Sequence, residues 1–552
     1  AVKELAAPYD HYVFPSGDPY DSDSLMQEMT VILAIAAAVI VAVLLFTSKS
    51  YLEVLVFLIV FVVSAILNMG TNFLFDSVSF ITNAIAVVLQ LALAIDYAII
   101  FCHRYMEERD NGLDAREADI AALSKAIVEI SSSSLTTISG LVTLMLMQFR
   151  IGPDLGLALA KGVALSLITV FVFMPDLILV TYRLLDKTRH RELVPSCRGL
   201  GKLVRRLMIP MVCVFLVIFI PAYLASNQND YYYGASHIFG VQTQLGADTA
   251  EIEDVFGQND TYVLMVPNNS TATEKELSDS LHELPQVTSI ISYVDAAGAE
   301  IPLEYLDADT LAKLRSPNYS RMVISLDTDY EGKQTFQLVE QIRSIADSYY
   351  PGSYYLAGEG VSTYDLMDTI TDDMLKVNAL AIGAVFLVLL MLMKSISLPV
   401  ILVLSIETAI WLNLAVPYFQ GNTVFYISYL IISSVQLGAT VDYAILLTDR
   451  YRECRQTMDK KESIVETISA VTVSILTSGS VMTVVGFLMG YISTHGLLAQ
   501  LGKFLGIGTI FSMLIVLFVL PGMLYLLDRI FIGRKAHHHQ NKKNKNQKEK
   551  QE

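Results

Sequence analysis

An Asp-Tyr pair occurs twice in this chain, and it constrains the fold more than any other feature. Asp96-Tyr97 and Asp442-Tyr443 each lie inside an apolar run that is long enough to cross a bilayer. A carboxylate in hydrocarbon costs about 2.5–3.5 kcal/mol on insertion scales. Two such acids, each beside a tyrosine and at matching places, predict a functional site that takes up and releases protons.

The two pairs belong to a longer internal repeat. Asp96 and Asp442 are 346 residues apart, and the same offset relates further residues of the same type: Ser134 and Ser480, Gly140 and Gly486, Gly162 and Gly508, Pro175 and Pro521. Internal repeats are typical of secondary transporters, which bind their substrate or ion at the repeat interface. Because both copies run in the same order, we expect parallel repeats related by an axis along the membrane normal.

The composition is that of a membrane protein. Hydrophobic residues make up 53% of the chain and charged residues 17%, and the mean hydropathy is +0.49. Apolar stretches of about 18 residues or more predict membrane-spanning helices. We place eleven of them at 29–47, 51–69, 79–102, 129–149, 155–182, 205–225, 375–393, 398–416, 424–448, 468–490 and 503–527.

The distribution of charge predicts the orientation. Most of the 38 Lys and Arg residues fall in alternate connections, at 104–125, 183–206, 450–461 and 529–550. By the positive-inside rule these connections are cytoplasmic, as is the C-terminus, in a multi-pass protein of the plasma membrane. The polar insert at 226–373 is then extracytoplasmic. It carries 25 acidic and 6 basic residues, so the acidic balance of the chain originates there and gives no indication of nucleic-acid binding.

The polar insert has the pattern of a folded α+β domain. Strands are predicted at 261–266, 287–291, 321–326 and 353–356, with helices at 273–284 and 333–349. Two β-α-β units on one sheet predict a ferredoxin-like arrangement. We expect its core around Val263, Met265, Ile290, Val323 and Ile324. The four cysteines of the chain lie outside the insert, so disulfides do not hold it together.

The beginning of the chain resembles the end of the insert. Tyr12-Val13-Phe14 lies just before the first span, as Tyr354-Tyr355-Leu356 lies just before the span at 375–393. We therefore expect that a first helix and most of a first outer domain precede the chain; a natural N-terminal extension is the alternative. The expected organisation is a remnant of that domain, helices of the first repeat with one more helix, the outer domain, helices of the second repeat and a basic disordered tail, at 1–28, 29–225, 226–373, 374–530 and 531–552.

These features resemble the MMPL branch of the RND transporter superfamily. The doubled Asp-Tyr motif carries the resemblance, together with the Arg-Tyr-x-Glu that follows each copy from Arg104 and from Arg450. The resemblance implies a polytopic helical RND-type fold of twelve helices and proton-driven export of lipids, lipid-like molecules or drugs. It also implies that helices four and ten, here the spans at 79–102 and 424–448, lie side by side. Asp96 would then face Tyr443, and Tyr97 would face Asp442.

Two interpretations of the acids remain open, a proton relay and a polar clamp that only joins two helices. Burial disfavours the carboxylate anion, whereas a hydrogen bond from a tyrosine favours it, so a relay can arise from their balance. Further polar residues lie in the spans. Gln90 and Gln436 are placed to orient the tyrosines, and Glu407 is either a second titrating group or an interhelical hydrogen bond. Hydroxyl residues could complete a hydrogen-bond path, although most of them fit close helix packing: Ser132, Ser134, Thr137, Ser478, Ser480 and Thr483.

The leading hypothesis is a secondary exporter driven by the proton-motive force, with protons, membrane lipids and a hydrophobic or lipidic substrate as its partners. Homo-oligomerisation is left open. The alternatives are an RND-fold accessory to protein secretion similar to SecDF, or a lipid- or sterol-sensing membrane protein that transports nothing. No enzyme motif, cofactor motif or metal-ligand spacing is found, and His537, His538 and His539 lie in the basic tail and are not interpreted as a metal site.

Overall fold

A computed structural model describes residues 22–75, 78–190, 197–234, 237–296 and 308–531. Within these ranges, eleven helices are long and apolar enough to cross a membrane, one for each predicted span. The protein is thus a polytopic α-helical membrane protein. Its described residues form two compact units, a smaller one within 231–372 with 494–496 and a larger one within 22–230, 373–493 and 497–531. The N-terminal segment that resembles the end of the insert and the basic tail fall outside the described residues.

Among the residues that the structure describes, seven helices precede the insert. They are α1 (Ser22–Thr47), α2 (Tyr51–Gly70), α3 (Phe80–Asp110), α4 (Ala115–Thr143), α5 (Ile151–Ile168), α6 (Met174–Lys187) and α7 (Arg198–Ser226). A π-helical turn, Thr169–Phe173, joins α5 to α6, so that the two form one span. Short 3₁₀ turns follow α2 and α4 at Thr71–Leu74 and Leu144–Leu146.

The described part of the insert contains five helices and five strands. In chain order these are β1 (Tyr231–Tyr232), α8 (Gln244–Phe256), β2 (Asp260–Pro267), α9 (Thr271–His282), β3 (Val287–Ile291), α10 (Tyr293–Ala296), α11 (Ala308–Leu314), β4 (Tyr319–Leu326), α12 (Lys333–Tyr349) and β5 (Tyr355–Ala357). Four strands form one antiparallel sheet in the order β3-β4-β2-β5. With α9 after β2 and α12 after β4, this is the predicted ferredoxin-like arrangement.

After the insert, the described residues up to 531 form six helices. They are α13 (Glu359–Met393), α14 (Ser397–Gln420), α15 (Tyr426–Cys454), α16 (Lys460–Ile492), α17 (Gly496–Leu514) and α18 (Leu520–Phe531), with the two-residue strand β6 (Val424–Phe425) before α15. A second π-helical turn, Ile515–Val519, joins α17 to α18. It begins 346 residues after the first one, so the sequence repeat is also a repeat of local helix geometry.

Side-chain caps fix where the central helices begin. Asp114 accepts a hydrogen bond from the backbone N–H of Glu117 at the start of α4, and Asp459 accepts one from Glu462 at the start of α16. Such caps satisfy backbone donors that have no partner inside the helix. Equivalent helices of the two repeats therefore begin with the same type of N-cap, an aspartate side chain.

The core of the insert corrects part of the sequence prediction. Ile290 and Ile324 are buried as expected. Val263 and Val323 are only partly buried, and Met265 is 37% exposed. The core is formed instead by the alternate residues of β2 and β4 with apolar residues of α9 and α12: Tyr262, Leu264, Val266, Met322, Leu326, Leu277, Leu281, Leu338 and Ile342. Since β2 is apolar on both faces, its pattern could not decide which face is buried.

Asp260 makes the stability of the insert depend on pH. Its carboxylate is buried and accepts hydrogen bonds from the backbone N–H groups of Gly360 and Thr261. Burial raises its pKa more than these hydrogen bonds lower it, and the nearby Asp329 raises it further.

Because the folded pKa lies above the unfolded pKa, the folded domain binds more protons between the two values, and its stability falls as the pH rises through that window. We expect Asp260→Asn to reduce this pH dependence, measured by urea unfolding of segment 231–372 at several pH values; an unchanged slope would contradict the assignment.

Candidate functional site

Four helices of the larger unit surround the two Asp-Tyr pairs. α3 carries Asp96 and Tyr97, and α15 carries Asp442 and Tyr443. α15 packs along α4 and α16, and both of these helices also contact α3. The two motif helices are therefore linked through α4 and α16. The resemblance implied that α3 and α15 lie side by side. In the structure they make few close backbone contacts with each other, and α4 and α16 pack against both.

The two acids are buried and face one cavity. Asp96 is 6% and Asp442 is 8% exposed, and the adjacent Tyr97 and Tyr443 are buried as well. A cavity of about 20 Å³, here named the acid cavity, is lined by both acids and Tyr443. A space of this size can hold about one water molecule. Among the described residues, no basic side chain acts on either acid, so neither is held in an ion pair.

Serines of the neighbouring helices contact the acids in place of direct Asp-Tyr hydrogen bonds. Tyr443 Oη and Ser478 Oγ are 2.8 Å apart, and Ser478 also interacts with Asp96. Ser133 of α4 faces Asp442 without a hydrogen bond of ordinary geometry. The Oη of Tyr97 is buried and has no hydrogen-bond partner among the described residues. The expected direct bonds are thus not formed, because serine hydroxyls and the acid cavity lie next to the carboxylates.

The two Asp-Tyr pairs also influence each other electrostatically. The carboxylate that acts most strongly on Tyr97 is Asp442, and the one that acts most strongly on Tyr443 is Asp96. In the part of the chain that the structure describes, one Oδ atom of each acid is buried without a hydrogen-bond partner. Buried polar groups are normally paired, and an exception is explained by a water, an ion or a functional role at the site.

Gln90 and Gln436 connect helices. The Gln90 amide donates to Ser64 O, Gly162 O and Ser166 Oγ and accepts from Asn68, so it joins α3 to α2 and α5. Gln436 repeats the pattern in the second half, where its bonding partners are Asn413, Gly508 and Ser512. None of these hydrogen bonds is made to a tyrosine. The two glutamines connect the motif helices to their neighbours, which differs from the predicted orienting role.

The predicted hydroxyl residues divide into two groups. Thr137 Oγ1 donates to Gly438 O over 2.9 Å and so joins α4 to α15. Ser134 donates to Ser131 O within α4, and Thr483 Oγ1 is buried without a partner among the described residues. Ser480 is partly buried on α16. Of the predicted hydroxyl residues, Ser478 lies at Asp96 and Tyr443, and Thr137 also interacts with Tyr97. The hydrogen bonds described for Ser132 and Ser134 stay within α4.

Gly438 permits the close crossing of α4 and α15. A Cβ atom at this position would meet Thr137 Cα at 3.1 Å. We expect Gly438→Leu to destabilise the helical unit by about 1–3 kcal/mol or more through overpacking, and to disturb the acids one to two turns away. The matched control is Gly383→Leu on α13, where nothing lies within 4 Å of the added Cβ. Thermal unfolding in detergent compares the two variants, and equal midpoints would show that the crossing needs no glycine.

Glu407 lies apart from the acid pairs. It is buried on α14 and interacts electrostatically with Tyr429, which lies in the first turn of α15, far from Asp442. Tyr429 Oη in turn accepts a hydrogen bond from Asn378. Glu407 is therefore not a member of the Asp-Tyr site.

Three residues near the site are not predicted by the sequence. Ser133 faces Asp442, Ser474 lines the acid cavity, and His103 hydrogen-bonds to Ser474. Helical spacing could have found two of them, since His103 is seven residues after Asp96 and Ser474 is four before Ser478. Within the described ranges, no group of three or more His, Cys, Asp or Glu side chains could hold a metal ion.

Comparison with known proteins identifies the family. The MMPL family matches residues 20–207 and 240–549, which is most of the chain, and the chain belongs to this family. The RND-type fold is supported by the structure of SecDF, a translocon-associated membrane protein from Thermus thermophilus. That structure covers 91% of this chain with a TM-score of 0.61 and 12% sequence identity, which shows a shared fold alone.

Several curated relatives are similar in sequence. A membrane protein of Methanocaldococcus jannaschii, MJ1562, is 24% identical over 318 residues, half of this chain and 80% of its own length. ActII-3, a membrane protein of Streptomyces coelicolor, is 22% identical over 81% of this chain, which spans 62% of it. MmpL9 of Mycobacterium tuberculosis, named a transport protein, is 27% identical over 39% of this chain and 24% of its own length. The chain thus spans less than two thirds of the length of ActII-3 and of SecDF.

Proposed function

We propose that this protein is a secondary active exporter that couples proton flow to the movement of a lipid, a lipid-like molecule or another hydrophobic compound. One observation carries the proposal: Asp96 and Asp442, buried in membrane-spanning helices, line the same small cavity and have no basic partner among the described residues. A permanent structural role would favour an ion pair or a full set of hydrogen bonds. An acid with neither is suited to change its protonation.

In the proposed relay, proton binding changes which arrangement of the repeats is preferred. A protonated carboxyl loses the charge that is costly in a low-dielectric site, so protonation shifts the balance between conformations that bury the acids to different extents. α4 and α16 each pack against both motif helices. Movement of α3 against α15 would therefore pass directly to the rest of both repeats.

The remaining assignments complete the proposal. The protein lies in the plasma membrane with its basic connections in the cytoplasm, as the positive-inside rule predicts. The domain at 226–373 is extracytoplasmic and porter-like, and it shapes the route of the substrate without performing chemistry. Membership of the MMPL family and the named transport protein MmpL9 support transport as the general role.

Reconstitution tests the proposal. The purified protein is placed in proteoliposomes that contain a pH-sensitive dye and a fluorescent phospholipid analogue, and an inward proton gradient is imposed. We expect lipid movement that requires the gradient and proton uptake that requires Asp96 and Asp442. Lipid movement that is independent of the gradient, or proton uptake unchanged in the Asp96→Asn and Asp442→Asn variants, would refute proton-coupled export.

The second candidate is an accessory role in protein secretion. The fold likeness to SecDF, described as translocon-associated, is the observation that favours it. This role predicts co-purification with the translocon and proton-dependent protein secretion, with no transfer of lipid in proteoliposomes. Capture of the translocon together with absent lipid transfer would favour it over export.

A further inference from the structure

A second cavity adjoins the acid cavity inside the larger unit. It measures about 110 Å³ and is named here the basic cavity, because both Arg104 and Arg450 line it. Ile100, Leu446 and Ser474 line both cavities, so the two spaces meet at these side chains. The meeting point contains two apolar residues and a single hydroxyl group, that of Ser474. Ser474 is therefore the polar side chain that could carry a proton between the two cavities.

Two helices direct stripes of residues into these cavities. On α3 the stripe runs from Asp96 through Ile100 and His103 to Glu107, with the spacing of one helix face. On α16, Ser478 and Ser474 are one turn apart. At a rise of 1.5 Å per residue, the α3 stripe extends about 16 Å. The two cavities therefore connect the acids to the end of the helix bundle that carries the basic connections.

Hydrogen bonds occupy both ends of this path. Ser478 Oγ lies 2.8 Å from Tyr443 Oη at the acids, and Ser474 Oγ lies 3.2 Å from His103 Nδ1 at the basic cavity. The serines are separated by about 6 Å along α16, a gap that one water molecule can bridge. The acid cavity, which Ser474 and Ser478 both line, has room for about one water.

The charged groups around His103 leave it as the group suited to proton exchange. Arg104 is paired with Glu107 at 3.0 Å and with Glu129 of α4 at 3.2 Å, and Arg450 of α15 is paired with Glu453 at 2.7 Å. Arginine does not release its proton in proteins, and Glu107, Glu129 and Glu453 each lie in an ion pair with an arginine. The residues of α16 that line this cavity are not titratable. Histidine changes its charge within the physiological pH range.

The path exists in one repeat only. The repeat counterpart of His103, 346 residues later, is Asp449, and the counterpart of Ser474 is Val128. Asp449 and Val128 line neither cavity. The sequence repeat is thus broken at the two positions that join the acids to the basic cavity, while the acids themselves are kept in both halves.

We propose that His103, acting through Ser474, is the group that exchanges protons between the Asp96–Tyr443 region and the basic cavity. This inference rests on the proposed proton relay. In the release direction, a proton leaves the Asp96 carboxyl for the Ser478 hydroxyl, which passes its own proton through a water to Ser474. Ser474 then donates to Nδ1 of the neutral imidazole of His103, which releases a proton to water in the basic cavity. Each hydroxyl accepts one proton and gives one, so only the proton position changes.

Infrared difference spectroscopy of the protein in nanodiscs tests this inference, since it observes the protonated carboxyl of an aspartic acid directly. After a pH jump, wild-type protein should show a carboxyl signal that disappears in Asp96→Asn. In His103→Gln and in Ser474→Ala the final amplitude should be kept, while its rate falls about 10²-fold. Added imidazole buffer should restore the rate in His103→Ala. The matched control Asp449→Asn should react at the wild-type rate.

The outcomes separate the two proposals. Wild-type rates in His103→Gln and Ser474→Ala, with the Asp96-dependent signal present, would overturn the role of His103 and leave the relay standing. The absence of any Asp96-dependent signal in wild-type protein would overturn the relay, and the exit path with it. A slow rate in His103→Ala that imidazole does not restore would show a structural role for the side chain, and this too would overturn the exchange role.

Discussion

Replacing either Asp96 or Asp442 with asparagine is expected to abolish proton-coupled transport and to leave the fold intact. Asparagine has nearly the same shape and can still bond to Ser478 or Ser133, but it cannot bind or release a proton at physiological pH. Because both acids line one cavity and act on the opposite tyrosines, the loss of one should remove the function of the pair. A loss of about two to four orders of magnitude in transport rate is the scale of a removed proton-transfer group.

The measurement is the initial rate of proton-driven lipid movement in proteoliposomes, combined with thermal unfolding in detergent. Asp449→Asn is the matched control, because Asp449 lies on α15 seven residues after Asp442 and lines neither cavity. We expect its rate and its unfolding midpoint to equal those of the wild type. If Asp96→Asn or Asp442→Asn transported at the wild-type rate, the acids would be no more than a polar link between helices.

Much of this fold can be predicted from the sequence because its signals are long or repeated. Each membrane span is far longer than the error in placing its ends, and the two acids are conspicuous in apolar runs. The predicted strands and helices of the insert agree with the structure to within a few residues. For β3 and α12 the predicted and observed ends are identical. The ferredoxin-like order follows from the alternation of these elements.

Side-chain detail cannot be predicted in the same way. In β2, both Tyr262 and Val263 are apolar, and only the packing of α9 and α12 decides that Tyr262 enters the core. Within the membrane, the partner of Gln90 depends on which helix lies beside α3. A hydropathy pattern locates the helices along the sequence but does not determine which of them are neighbours. For the same reason Ser133 and Ser474 cannot be distinguished from the other serines of their helices.

Removing one member of a buried ionic cluster at the end of the second repeat should reduce stability strongly. Asp528 accepts hydrogen bonds from Arg455 Nε and Tyr451 Oη, both at 2.9 Å, and Lys460 Nζ lies 3.1 Å away. The side chains of Arg455 and Asp528 are only 4% and 1% exposed. Removal of one member of a buried ion pair leaves the other charge without compensation. We expect Asp528→Ala to reduce the free energy of unfolding by about 3–5 kcal/mol.

The first repeat supplies the control for this prediction. Arg109, the repeat counterpart of Arg455, is paired with Asp186 at 2.6 Å, but these side chains are 21% and 42% exposed. Because solvent screens such a pair, Asp186→Ala should cost only about 0–1 kcal/mol. Denaturation in mixed micelles, followed by far-ultraviolet circular dichroism, compares the two variants. Arg455→Met combined with Asp528→Leu should recover much of the loss, since apolar residues can replace a buried pair. Equal effects of Asp528→Ala and Asp186→Ala would mean that water reaches the second cluster as freely as the first, and burial would then not account for its strength.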